Sequence, residues 1–377
     1  MKTAKTAKIL IASILILSLN ACSIKAFLTS SEPTQTFENI VERSEAGDVV
    51  DLTGTETSTT PVSQPLLEEV EVVPLKLPER VQAASFEYSG LAWFGDFLVL
   101  LPQYPEGRYS SGDGNLFAIS KEDILQAIED PEFELPVRDV PIVNSNLRNV
   151  VKGFEGFESI LFFEQDVYLT VESHGGNPMM GYLIKGVVEG ELESITLDPN
   201  SLVELEPLSS AENATFEAIT YWDGSLYVIY EHNSKQSDAQ PLAYQFDLGL
   251  EFMQEIAFPI MDYRITDATM SDPSGKFWVV NYFFPGDTHL AVEQDALISQ
   301  YGQGATHASN QPVERLVQLQ IEKDEILRVD QAPIYLKLLG FDIARNWEGV
   351  VMLDELGFLL ITDSFPNSQL GFCSISS

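Results

Sequence analysis

The chain has only two cysteines, Cys22 and Cys373, in 377 residues, which excludes a scaffold built on disulfides. Basic residues are scarce: 21 Lys and Arg stand against 57 Asp and Glu, a formal charge of −36. Such a field repels nucleic acid and anionic lipid and draws cations in. Long hydrophobic runs are missing too. The longest, Ile9 to Leu19, falls short of the roughly 20 apolar residues that span a bilayer. There is no Gly-x-Ser-x-Gly elbow, no His-Glu-x-x-His zinc motif, no P-loop and no dinucleotide fingerprint.

What the N-terminus does have is the order of an export signal. Lys2, Lys5 and Lys8 precede the apolar run, which closes on Leu19-Asn20-Ala21-Cys22. These four residues resemble the bacterial lipobox, and the resemblance implies a signal peptide over 1–21, lipid on Cys22 and a membrane anchor there. The expected location is the periplasm or cell exterior; Ser23 is not the aspartate of inner-membrane retention, so in a Gram-negative cell the outer membrane is expected. Cys22 is then used by lipid and Cys373 has no partner. Cleavage would leave 57 acidic against 18 basic residues. Residues 22–76 are rich in Ser, Thr, Glu and Pro, as in Glu56-Thr57-Ser58-Thr59-Thr60-Pro61, and show no apolar period. They read as a disordered tether with an end-to-end distance on the order of 40 Å.

Residues 77–377 carry a repeat. Each copy reads acid, small residue, apolar run, turn, β-rich run, then an acid or amide. The copies run from Glu158 to Glu172, Glu217 to Glu231, Asp267 to Asn281 and Glu348 to Asp363, with a fainter one from Ser89 to Gln103. The interval is 14, and 15 in the Glu348 copy. Trp222-Asp223-Gly224-Ser225 and Asp272-Pro273-Ser274-Gly275 are turn sequences. The runs after them, such as Leu226-Tyr227-Val228-Ile229-Tyr230, are apolar throughout, as strands buried on both faces are. Each copy is therefore a hairpin. Starts 50 to 81 residues apart fit four-stranded blades, so the fold class is all-β, a five- or six-bladed β-propeller. Helical signal is confined to segments such as Lys121 to Glu129. The segment around Val70 to Val81 is the candidate for closing the ring against the C-terminal strand.

The motif of Glu, then Gly or Ala, then Ile or Val, followed by a turn, a strand and an acid, resembles the propeller repeats of the phytase-like (esterase-like phytase) family and the related SdiA-regulated family. Ser89-Gly90-Leu91-Ala92-Trp93 is similar to the opening blade motif of the latter. The resemblance covers residues 85–377 and implies a phytase-like propeller, with calcium-dependent phosphoester hydrolysis as the activity to test.

An antiparallel hairpin turning midway sets residues i and i+14 opposite each other at its open end, and propeller symmetry gathers these pairs around one channel mouth. Seven candidates for a hard, oxygen-only metal site follow: Glu158, Glu172, Glu217, Glu231, Asp267, Glu348 and Asp363. Ca²⁺ is the cation such donors suit. Three readings of the acidic ring stay open: a structural latch to neighbouring backbone amides, a cation site, and acid–base catalysis. His174 and His232 lie just beyond Glu172 and Glu231 and are minor candidates for the same mouth. Lys152, Lys185, Lys235, Arg264 and Arg345 are the few bases placed to meet a phosphate. The function is thus either a membrane-anchored, Ca²⁺-dependent phosphoesterase or a non-catalytic surface propeller binding a protein, a glycan or a cation. No nucleic acid partner is expected. The stretch Phe284 to Pro312, without strand signal, is expected to fold over one channel mouth.

Overall fold

The computed structural model describes residues 65–107, 113–143, 147–176, 178–211, 213–235, 240–340, 343–365 and 367–375. The expected signal peptide, the lipidated Cys22 and the tether up to residue 64 lie outside the described residues.

The expected hairpins are present. Between Phe216–Trp222 and Ser225–Tyr230 the chain turns on Asp223 and Gly224, both at positive φ (45° and 83°). This is the twist that a two-residue hairpin loop needs, and glycine reaches it without a Cβ clash. Ser225–Tyr230 and Gly357–Thr362 are buried at every position, which is why their sequences show no alternation. Each hairpin is extended outward into a four-stranded unit. The first is Tyr88–Phe94, Phe97–Pro102, Gly114–Ser120 and Arg138–Val143; the second is Phe154–Phe163, Asp166–Ser173, Met180–Glu189 and Ser194–Leu197. The third holds Phe216–Trp222, Ser225–Tyr230, Leu242–Asp247 and Phe252–Ala257. The fourth holds Arg264–Ala268, Lys276–Phe283 and Val313–Ile321, with Ile326–Arg328 and Ile334–Leu336 outside; the fifth is Trp347–Leu353, Gly357–Thr362, Leu370–Ser374 and Val72–Leu75.

The five inner strands touch one another in sequence, and the last touches the first, so the units close a ring. This is a β-propeller; five units are present among the described residues. Apolar side chains between successive sheets form the core, as where Leu91, Leu98 and Leu100 of the first unit meet Val351, Leu359 and Ile361 of the fifth. The helix Lys121–Glu129 forms where the sequence indicates it, capped by Ser120 accepting from the Asp123 amide at 3.1 Å and burying Ile124 and Ala127.

Ring closure comes from the segment expected to supply it. Val72–Leu75 pairs antiparallel with Leu370–Ser374, joining the two ends of the propeller chain. The tether boundary at residue 76 is corrected by the same strand. Leu66–Leu67 and Glu69–Val70 pair parallel with Gln303–Gly304 and Ile334–Leu336, and Val72 and Leu75 are buried. Three glutamates and a proline interrupt the segment, but six of the ten residues from Leu66 to Leu75 are Leu or Val, enough for short outer strands.

Candidate functional site

The polar ends of the hairpins meet at one channel mouth, but not as facing pairs. In four units the inner strand carries one extra residue at this point. Phe216 pairs with Tyr230 and Ala218 with Ile229, leaving Glu217 unpaired between them. Glu158 stands in the same way between Phe157 and Ser159, Glu348 between Trp347 and Gly349, and Ser89 between Tyr88 and Gly90. A bulge of this kind re-aims the extra side chain. Here it sends three glutamates and a serine to the channel, while Gln103, Glu172, Glu231 and Asp363 lie one position beyond the paired residue on the second strand.

These side chains line a cavity of about 500 Å³ together with Glu87, Glu155, Arg264, Tyr282, Phe284 and Asp287. Within it, Gln103 Nε2 donates to Glu158 Oε1 and to Glu172 Oε1, each at 2.7 Å. The two carboxyls also bond each other, which requires one shared proton. Burial, and then the charge of Glu172, hold Glu158 well above the usual carboxylate range. Burial raises Glu172 to about 7, against the hydrogen bonds from Glu158 and Gln103. Glu217 is held well above its usual range by burial and by Glu231, Glu348 and Glu158, and Glu348 by burial and by Asp363 and Glu231. Burial also raises Asp363, which accepts from the Phe365 amide at 2.6 Å.

Arg264 is the cation of this mouth. Its guanidinium pairs with Glu231 Oε1 and, through Nε, with Asp287 Oδ2 at 2.8 Å. Glu231 is therefore already committed to an internal counter-ion. The other bases lie elsewhere. Arg345 is buried against Glu314, Lys185 pairs with Asp166 at 2.7 Å, and Lys152 and Lys235 are exposed. His174 is exposed, whereas His232 is buried beside Glu231.

Asp267 is a correction to the expected ligand set. It does not line the cavity. Its Oδ2 accepts from the Val350 amide at 2.8 Å, its Oδ1 from Ser159 Oγ at 3.4 Å, and the Leu91 amide bonds it too. One carboxylate of the fourth unit thus ties the inner strands of the first, second and fifth. This is the latch reading, realised at one position. In this unit Ile265 pairs with Asn281, an interval of 16 where Phe216 and Tyr230 have 14. The two polar ends are each one residue closer to the turn, and a one-residue step along a strand reverses the face. Thr266 and Tyr282 take the corresponding places, and Asn281 turns away to accept from Arg315 Nε at 2.8 Å.

The stretch from Phe284 to Pro312 covers the mouth only with its first residues, Phe284 and Asp287. It then leaves. Asp295 caps the helix Ala296–Tyr301 and pairs with the buried Arg315 at 2.8 Å, and Glu69 accepts from the Thr306 amide at 2.9 Å and bonds His307 Nδ1 at 2.8 Å. Glu87, Glu155 and Asp287 are acidic mouth residues that the repeat does not indicate. The first two are acids just ahead of the motif, and Asp287 comes from the connection after Lys276–Phe283, whereas Arg264 opens the inner strand of the fourth unit.

Among the described residues, no three Asp, Glu, His or Cys groups converge closely enough to hold a metal ion as they stand. The donors of the mouth are all oxygens, which is the set Ca²⁺ takes.

No family model and no curated protein matches the chain. Among solved structures, a glucose dehydrogenase is 13% identical, over 81% of this chain and 99% of its own, with a TM-score of 0.42. A GH43_1 enzyme from Xanthomonas citri is 10% identical over 81% of this chain and 91% of its own, TM-score 0.43. The Bombyx mori GH32 β-fructofuranosidase BmSUC1 is 12% identical over 78% of this chain and 56% of its own, TM-score 0.42. Likeness at this level says nothing about the site.

Proposed function

We propose that this chain is a lipid-anchored, extracytoplasmic propeller whose acidic mouth binds Ca²⁺. The observation that supports this most is Glu217. It is a half-buried carboxyl lining the cavity, crowded by Glu158, Glu231 and Glu348, and it makes no hydrogen bond or ion pair among the described residues. Crowding of like charge around an uncompensated carboxyl is relieved by a cation. Glu158, Glu172, Glu217, Glu348 and Asp363 would hold it, with Glu231 paired to Arg264. Bound there, Ca²⁺ would supply the positive charge that a phosphoester needs, and so the phytase-like reading runs through the same site.

A second reading is favoured by the bases. Among the described residues Arg264 is the one Arg or Lys of the cavity wall, and both of its ion-pair partners are carboxylates. A mouth with so little positive charge of its own fits a non-catalytic, cation-dependent binder of a protein or glycan. Calorimetric titration with Ca²⁺ tests the site, and a phosphoester panel with and without Ca²⁺ then separates the two readings. No heat on Ca²⁺ addition would end both; Ca²⁺ binding without hydrolysis of any ester would leave the binder.

A further inference from the structure

From Glu231 at the mouth outward, the chain leaving Ser225–Tyr230 reads Glu231-His232-Asn233-Ser234, and all four side chains are buried, at 1%, 4%, 1% and 1% exposure. Each has a polar atom without a hydrogen bond among the described residues: Glu231 Oε2, His232 Nε2, Asn233 Oδ1 and Ser234 Oγ. Four such atoms in succession are far from the usual pairing of buried polar groups. Two of them face each other. His232 Nε2 and Glu231 Oε2 stand 3.4 Å apart, too far for a good hydrogen bond and close for two lone pairs with nothing between them.

That distance has another meaning. Ligands bonded at about 2.0–2.15 Å to a tetrahedral Zn²⁺ stand about 3.3–3.5 Å from each other. The next imidazole is His289, exposed on the turn Thr288–Leu290, and its ring centroid is 5.7 Å from that of His232. Two imidazoles on one tetrahedral ion have centroids about 5.2 Å apart by the same geometry. We propose that Glu231 Oε2, His232 Nε2 and, after a rotation of its exposed ring, His289 form a Zn²⁺ site beside the acidic mouth and separate from the Ca²⁺ site. Its nitrogen ligands and closed geometry select a borderline transition-metal ion over a hard one.

The surroundings suit this assignment. Burial lowers the affinity of His232 for a proton, against the pull of Glu231, and Arg264 and His289 lower it further while Asp287 opposes them. The imidazole is thereby kept neutral, the state in which it ligates. Arg264 holds Glu231 through Oε1 and Asp287 through Oδ2, fixing from behind the Glu231 carboxylate of the site and the Asp287 beside it. His289 is exposed and supplies the entry path.

The test uses the full chain, stripped with chelator and titrated with Zn²⁺ against a chromophoric competitor, and with Co²⁺ read by visible absorption. One equivalent of Zn²⁺ and a tetrahedral Co²⁺ spectrum are expected, both retained in excess Ca²⁺. His289→Ala, on an exposed turn, should keep the metal-free melting temperature and weaken Zn²⁺ by about tenfold or more. His232→Gln should abolish stoichiometric binding. No Zn²⁺ bound, an octahedral Co²⁺ spectrum, or unaltered Zn²⁺ affinity in His289→Ala would each overturn the site, leaving buried water as the bridge between Glu231 and His232. Loss of Ca²⁺ binding with Zn²⁺ binding intact would remove the reading of the mouth and leave this one standing.

Discussion

Replacing Glu217 with Gln separates a cation site from a structural ring, because the two make opposite demands on one carboxyl. Metal-free, the side chain is a liability: burial and three neighbouring glutamates hold its proton affinity high. An acid whose folded pKa is raised binds more protons folded than unfolded, so stability falls as pH rises from the unfolded value through the folded one. Glu172 alone, raised from its ordinary 4.5 to about 7, removes on the order of 3 kcal/mol across that interval. The chelated wild type should therefore melt lower at pH 8 than at pH 5. Glu217→Gln, which keeps the shape and deletes the charge, should melt higher than wild type at pH 8 and differ little at pH 5. Ca²⁺ reverses the order. At about 100 times its dissociation constant it should stabilise the wild type by roughly 2.7 kcal/mol. For a domain of this size that is about 5 °C in melting temperature, and the variant should show less of it. Scanning calorimetry of both proteins, at both pH values, with Ca²⁺ and with chelator, contains every comparison. A wild-type melting temperature indifferent to millimolar Ca²⁺, or a variant less stable than wild type in chelator at pH 8, would refute the reasoning.

The latch makes a contrasting prediction: Asp267→Ala leaves the Val350 amide buried without an acceptor and should cost about 1–3 kcal/mol in urea denaturation, with Ca²⁺ affinity unchanged. Arg264→Met strands the buried Glu231 carboxylate and should cost about 3–5 kcal/mol by the same assay, with much of it recovered in the double variant carrying Glu231→Gln. Cys22→Ser should release the protein from membranes or leave it unprocessed; a processed variant that still sediments with membranes after a high-salt wash would rule out the lipid anchor.

The propeller was legible because its signals are local. An apolar run such as Leu226 to Tyr230 and the Asp223-Gly224 turn before it specify a hairpin without reference to anything distant. What the sequence hides is pairing between segments far apart. Residues 66–75 pass for tether because three glutamates and a proline break up their apolar residues, yet Val72–Leu75 finds its partner almost 300 residues away at Leu370–Ser374. The parallel contact of Ile142 with Ile195, which joins the first two units into one nine-stranded sheet, is also between segments apart in sequence. So is the route of the stretch from Phe284. Its sequence shows a long connection, but Arg315 and Glu69, which pull most of it away from the mouth, come from other strands.

The site shows the same boundary at finer scale. Counting 14 residues between acids finds Glu217 and Glu231 and also Asp267 and Asn281, but what orients a side chain is the register of the hairpin, and the turn sets that. The Asp272-Pro273-Ser274-Gly275 turn lengthens its hairpin by two residues relative to Asp223-Gly224. Identical spacing then sends one pair into the cavity and the other into a latch and a buried arginine. Where the bulge recurs, the acid is free to gather charge; where the register slips, the acid is consumed in holding the ring closed. The second, third and fifth units each bring an acidic pair to the mouth, and the fourth, at the same level, supplies Arg264 in place of such a pair, an exchange visible only once the strands are laid side by side.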